Sequence, residues 1–117
     1  MLTAEDTIKD TLTWIDENLD RQLNIEEVAL RAGYSKWHFQ RAFMQVMNIS
    51  LAKYIREMRL TRAARDLVET NDAIIHILVR YGFDSQPTFT RMFSQRFKIS
   101  PARYRAIKRT YTVVQKQ

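Results

Sequence analysis

Gly33-Tyr34-Ser35-Lys36-Trp37-His38-Phe39-Gln40-Arg41 and Gly82-Phe83-Asp84-Ser85-Gln86-Pro87-Thr88-Phe89-Thr90-Arg91 are two versions of one stretch. From Ser35 onward the copies run at an offset of 50 residues, pairing Ser35 with Ser85, Phe39 with Phe89, Arg41 with Arg91, Phe43 with Phe93, Ile49 with Ile99, Ser50 with Ser100, Ala52 with Ala102 and Tyr54 with Tyr104. Upstream the offset falls to 49, as Ile25/Ile74 and Gly33/Gly82 show, so the second turn carries one additional residue. Self-similarity of this kind marks a duplicated structural unit. Each copy has the sequence form of helix, Gly-containing turn, helix. Two such units in tandem predict a DNA reader with two recognition helices.

Working outward, Thr3 with Asp6 has the form of a capping box, and Ile8, Leu12, Ile15 and Leu19 follow at helical spacing. They predict a first helix over about 4–19 with one buried and one acidic face. Asn24 with Glu27 repeats the capping signal for a short second helix ending at Gly33, and Ser35 caps a third. In the third helix Phe39, Ala42, Phe43 and Val46 form a core stripe, while Trp37, Gln40, Arg41 and Met44 take another face. Phe89, Met92 and Phe93 repeat the stripe, and Pro87, Thr90, Arg91 and Ser94 repeat the second face. Residues 50–70 contain neither Gly nor Pro and predict one long helix. About 20 residues at 1.5 Å each span roughly 30 Å, close to the roughly 34–36 Å of one DNA helical turn. Asn71-Asp72 breaks the chain before a fifth helix over 73–81, and Ser100-Pro101 starts a seventh that is expected to end near Lys108. The expected fold is therefore all-α, with seven helices in two tandem helix-turn-helix subdomains at 1–49 and 71–108, a linker helix at 50–70 and a tail at 109–117.

The bulk composition agrees. With 117 residues and 45% hydrophobic content the chain can bury a real core, but units of this size are marginal alone and are expected to share an element. The absence of cysteine removes disulfides, thiolate metal sites and thiol catalysis, and fits a reducing cytoplasm. No apolar run approaches a membrane span and no signal sequence stands at the amino terminus, so a cytoplasmic protein is expected. The net charge of +6 divides unevenly: residues 1–30 hold eight acids against Lys9 and Arg21, whereas residues 31–117 hold seventeen Lys/Arg against five acids. A basic surface beginning at the first Gly turn is the electrostatic footprint of a phosphate-binding face, or an ordinary solvated surface.

Arg41 and Arg91 are the strongest candidates for base readout, because a guanidinium can donate two parallel hydrogen bonds to guanine O6 and N7. Gln40 and Gln86 can do the same for adenine, and Thr88 and Thr90 share the second face. Trp37, off the core stripe, either packs on a thymine methyl or sugar edge or braces the turn; Trp14 is structural. Lys36, His38, Arg56, Arg59, Arg96, Arg103 and Arg105 are candidates for the DNA backbone, together with helix amino ends. His38 and His76 lack metal-pair spacing, no phosphate loop follows a strand, and no acid/base constellation appears, so neither an enzyme nor a metal or other cofactor is expected.

These two runs, with Pro101 and Tyr104 after them, resemble the AraC/XylS family of bacterial transcription activators, and within it the MarA, SoxS and Rob subgroup, over about residues 5–108. The resemblance implies a monomer whose two recognition helices enter adjacent major-groove segments of bent DNA, and which recruits RNA polymerase at stress and multidrug-resistance promoters. It matches Trp37, Gln40 and Arg41 to the first reading helix and Gln86, Thr88, Thr90 and Arg91 to the second. Pro87 departs from the subgroup's usual glutamine, which implies altered second-half specificity. Proline is tolerated in a first helical turn, so the fold is unaffected. Control by abundance rather than a small-molecule effector is implied, and the missing cysteine argues against the alkyl transfer of some relatives. The acidic patch of Asp16, Glu17 and Asp20 would be repelled by DNA and is a candidate polymerase surface, which leaves open an adaptor acting chiefly through polymerase. Nonspecific nucleoid architecture is a third reading, against which the paired faces speak.

Overall fold

The computed structural model describes residues 3–116, with side chains as far as Thr110. Its helices are α1 (Ala4–Glu17), α2 (Ile25–Arg31), α3 (Lys36–Met47), α4 (Leu51–Glu69), α5 (Ile74–Arg80), α6 (Gln86–Phe97) and α7 (Pro101–Lys116). The described residues contain no strand. They form two compact units that divide inside α4, between Met58 and Arg59. The long helix is thus shared: Leu51 and Ile55 enter the first core, and Leu60, Ala63, Ala64 and Leu67 enter the second.

In the first unit, Ile8 and Ile15 of α1, Val28 and Ala29 of α2, and Phe39 and Phe43 of α3 bury together. Thr3 closes the expected capping box with Asp6 at the start of α1. The Asp6 carboxylate accepts from the Thr3 amide at 3.1 Å and from the Thr3 hydroxyl at 2.9 Å, and these bonds, the backbone one first, hold it below its ordinary range. At α2 only half of the expected box forms. Asn24 accepts from the Glu26 amide at 2.8 Å, but the Glu27 carboxylate turns to Arg21 at 2.9 Å. Near the start of α4 the Tyr54 hydroxyl donates to Asp16 of α1 at 3.0 Å.

The second unit repeats the helix order with different polar fastenings. Helix α5 has only seven residues and no side-chain cap, too short to persist unaided. Arg80 anchors it, donating to Asp66 at 2.7 Å and to Asp72 at 2.6 Å, and the neighbouring Tyr81 hydroxyl donates to the same Asp66 oxygen at 2.7 Å. Hydrogen bonding from Arg80 holds the Asp72 carboxyl below its usual range.

Helix α7 passes the expected end at Lys108 and continues to Lys116, so the expected tail is helical as far as it is described, and Gln117 lies outside the described residues. Residues 109–116 contain no Gly or Pro to stop it. Arg105 and Arg109, one turn apart on one face, reach back to the carboxyl end of α4. Arg105 donates to the carbonyls of Leu67 (2.8 Å) and Asp72 (2.6 Å), and Arg109 to those of Val68 and Thr70. Helix carboxyl ends leave carbonyls unpaired and carry negative partial charge, so two guanidiniums there satisfy both needs.

Burial, then the bond to Asp66, pushes the Tyr81 phenol from 10.0 to about 12, and burial with Asp16 does the same for Tyr54. Because the folded-state values are raised, the associated stability is complete below the unfolded tyrosine value and drains away as pH climbs towards 12. Urea unfolding between pH 9 and 12 should therefore show a steep alkaline loss in the wild type. Tyr81→Phe should start lower but fall less steeply, the difference in slope approaching about 1.4 kcal/mol per pH unit.

Candidate nucleic-acid interface

Helices α3 and α6 are each 12 residues long and are built alike from end to end. Gly33 and Gly82 make the preceding turns at φ values of 82° and 79°, a left-handed conformation that a side chain would strain. Ser35 and Ser85 then cap the helices, their hydroxyls accepting from the amides of His38 and Thr88 at 3.3 Å. At the other ends Asn48 and Lys98 turn left-handed, and their amides donate to the carbonyls of Met44 and Ser94 at 2.9 and 2.8 Å. Phe39 and Phe43, and equally Phe89 and Phe93, are fully buried. Tyr54 stacks edge-on against Phe43 at 5.6 Å, and Tyr104 against Phe93 at 5.3 Å.

With those rings inward, the opposite faces point to solvent. On α3, Lys36, Trp37, Gln40, Arg41 and Met44 are exposed as expected. Trp37 is 61% exposed, which excludes a buried brace for the turn, and the Arg41 guanidinium stacks over its ring at 5.3 Å. On α6, Gln86, Pro87 and Arg91 are exposed while Thr88 and Thr90 are half-buried. Thr88 is engaged in the cap, its hydroxyl accepting from Ser85 at 3.0 Å. His38 holds the corresponding place in α3, its Nδ1 2.7 Å from the Ser35 hydroxyl, so that Nε2 is the ring nitrogen left to face outward. Gln45 and Gln95, also 50 apart, are exposed one turn beyond Arg41 and Arg91 on the same faces. The duplication offset alone would have singled them out.

The backbone candidates separate. Lys36, Arg56 and Arg103 are exposed, and Arg96 is exposed with its guanidinium 4.9 Å above the Phe97 ring. Arg59 is half-buried, its guanidinium 3.5 Å from where a side chain on Gly82 would begin, and burial lowers its pKa. Arg105 is committed to the end of α4, and burial lowers its pKa as well. Its guanidinium, a candidate for the DNA backbone in the sequence, is thus engaged by carbonyls of its own unit. Of the acidic patch, Glu17 and Asp20 are exposed, while Asp16 is half-buried against Tyr54. No group of His, Cys, Asp and Glu that could hold a metal ion, and no helix long and apolar enough to cross a membrane, occurs among the described residues.

Residues 28–107 match the family described as "Helix-turn-helix domain". The chain belongs to the AraC/XylS family, in the subgroup of MarA, SoxS and Rob. It is 51% identical over 98 residues to the transposon Tn10 TetD protein of Escherichia coli, a match covering 84% of this chain and 71% of TetD. It is 46% identical over 99 residues to the multiple antibiotic resistance protein MarA of the same species (strain K12), covering 85% of this chain and 78% of MarA. Among solved structures, it is similar to the DNA-binding domain of the global transcriptional factor AdpA in complex with a target DNA. There the TM-score is 0.81 at 27% identity, covering 90% of this chain and 95% of that one.

A division of labour among the basic residues would be measurable. Arg105→Ala should lower stability by about 1–3 kcal/mol, since it strips donors from part-buried carbonyls, while leaving the salt dependence of DNA binding unchanged. Lys36→Ala should do the reverse, lowering the slope of log affinity against log salt by about one with little change in stability.

Proposed function

We propose that this chain, a sequence-specific DNA-binding transcription regulator, acts as a monomeric activator that reads promoter DNA with α3 and α6 and recruits RNA polymerase. The observation that carries it is the matched pair of outward faces, set opposite buried phenylalanines in both units. A solvated surface needs no such correspondence. Trp37, Gln40, Arg41 and Gln45 are assigned to base edges from the first unit, and Gln86, Thr90, Arg91 and Gln95 from the second. Thr88 contributes from its place in the cap. Lys36, His38, Arg56 and Arg96 are assigned to phosphates. These contacts sort into those that position the protein and those that specify sequence. The likeness to MarA supports promoters of stress and drug-resistance genes as targets, in the bacterial cytoplasm at the nucleoid.

The test is binding of the purified chain to a promoter duplex and its scrambled counterpart across a salt series. Arg41→Ala should remove about 1–3 kcal/mol of discrimination while the salt slope barely moves. Arg91→Ala should behave likewise if α6 reads bases, and should chiefly lower the slope if it holds phosphates. Equal binding of both duplexes by the wild type would replace promoter reading with a nonspecific architectural role.

The acidic patch at and just beyond the end of α1 favours a protein contact as well. Glu17 and Asp20 are exposed and separate from the basic remainder in sequence. Reversing both to lysine should abolish transcription activation in vitro with DNA affinity intact. If activation survives, polymerase engages another surface.

A further inference from the structure

The four side chains at the amino end of α3 form a connected chain on an exposed surface. The Ser35 hydroxyl lies 2.7 Å from His38 Nδ1. The His38 ring meets Trp37 edge-on, with centroids 4.9 Å apart and planes at 78°. Arg41 lies over the Trp37 ring at 5.3 Å, inside the roughly 6 Å reach of a cation–π contact. An indole that is 61% exposed has little core to hold it, yet this one meets the His38 ring and carries the Arg41 guanidinium over its face. The capping serine is itself held by the helix, accepting from the His38 amide at 3.3 Å. The chain of contacts therefore begins at fixed backbone and ends at the guanidinium.

The second unit has no counterpart. At an offset of 50, Pro87 replaces Trp37 and Thr88 replaces His38. Thr88 still meets its capping serine, at 3.0 Å, but proline offers no aromatic ring for Arg91 to stack on. The helix, the cap and the arginine are retained while the brace is lost, so the fold does not require the brace.

We propose that Trp37, steadied by His38 and Ser35, is a positioning residue for Arg41, holding its guanidinium ready for a guanine before DNA arrives, and that Arg91 lacks such preparation. This rests on the base-reading role of α3 proposed above. An arginine that is already ordered loses less rotamer freedom on binding, which is worth about three- to tenfold in affinity. The gain falls on the one base pair that Arg41 reads. A tryptophan that merely touched a thymine methyl would act on a neighbouring pair.

The experiment selects a tight duplex from a randomised double-stranded library with the wild-type chain. Each guanine of that duplex is then replaced singly by adenine, its partner changed to match. Binding is compared for wild type, Arg41→Ala, Trp37→Phe, Trp37→Leu and the double variant Trp37→Leu/Arg41→Ala, with melting temperature monitoring the fold. Arg41→Ala should erase preference at one guanine. Trp37→Leu should cut preference at that same guanine about three- to tenfold, Trp37→Phe should keep most of it, and the double variant should match Arg41→Ala there. Preference unchanged in Trp37→Leu, or lost only at another base pair and additive with Arg41→Ala, overturns the positioning role and leaves base reading by Arg41 standing. If Arg41→Ala leaves every guanine preference intact, base reading by Arg41 falls and the positioning role falls with it.

Discussion

Burial of two phenylalanines one turn apart sets the roll of each recognition helix. Phe39 and Phe43 in α3, and Phe89 and Phe93 in α6, are fully enclosed. Withdrawing either ring from its core would cost on the order of 2 kcal/mol or more in lost burial. A helix held at two points on one side has no freedom to rotate, so its opposite side is presented in a fixed register. Trp37, Gln40, Arg41 and Gln45 are thereby oriented by residues that never approach solvent. The same constraint explains why the copies could diverge at their outer faces, from Trp37 to Pro87 and from Gln40 to Thr90, without disturbing the helix beneath.

Beyond the duplicated serine caps, the duplicated backbone is fastened by polar groups that were not duplicated. Asp16 and Asp66 both accept from a tyrosine hydroxyl, but the tyrosine is Tyr54 of α4 in one unit and Tyr81 beyond α5 in the other. In the first unit the residue corresponding to Arg80 is Arg31, whose guanidinium lies 4.9 Å over the Trp14 ring instead of between two carboxylates. Apolar packing, the glycine turns and the serine caps thus carry the symmetry of the repeat. Hydrogen bonds to buried or half-buried partners are where each unit became individual, since satisfying such groups admits several local solutions.

What could be read from the chain follows from the range of the forces involved. Glycine turns, serine caps and the spacing of phenylalanines act over a few residues and leave a periodic trace, so the helices and the outer face of α3 were legible, Trp37 and Arg41 included. Arg105 resembled any other basic residue near a helix start, because its partners Leu67 and Asp72 lie 38 and 33 residues away. Glu27 stood at capping-box spacing from Asn24, yet Arg21 competed successfully for its carboxylate. The continuation of α7 beyond Lys108 was obscured by the weak sequence pattern of residues 109–116, while Arg105 and Arg109 tie the helix to the end of α4 through partners distant in sequence.

Both units close by reaching back an equal distance along the chain, Tyr54 to Asp16 and Arg105 to Leu67, each across 38 residues. During synthesis, at roughly 5–20 residues per second, the first closure can therefore finish before the second Phe pair has left the ribosome. Two near-identical stripes exposed together would be liable to pair with each other, the usual hazard of tandem repeats. With each loop closing within its own copy, the first stripe can be enclosed before the second emerges, so that the order of translation would itself guard the duplicated sequence against folding across its halves.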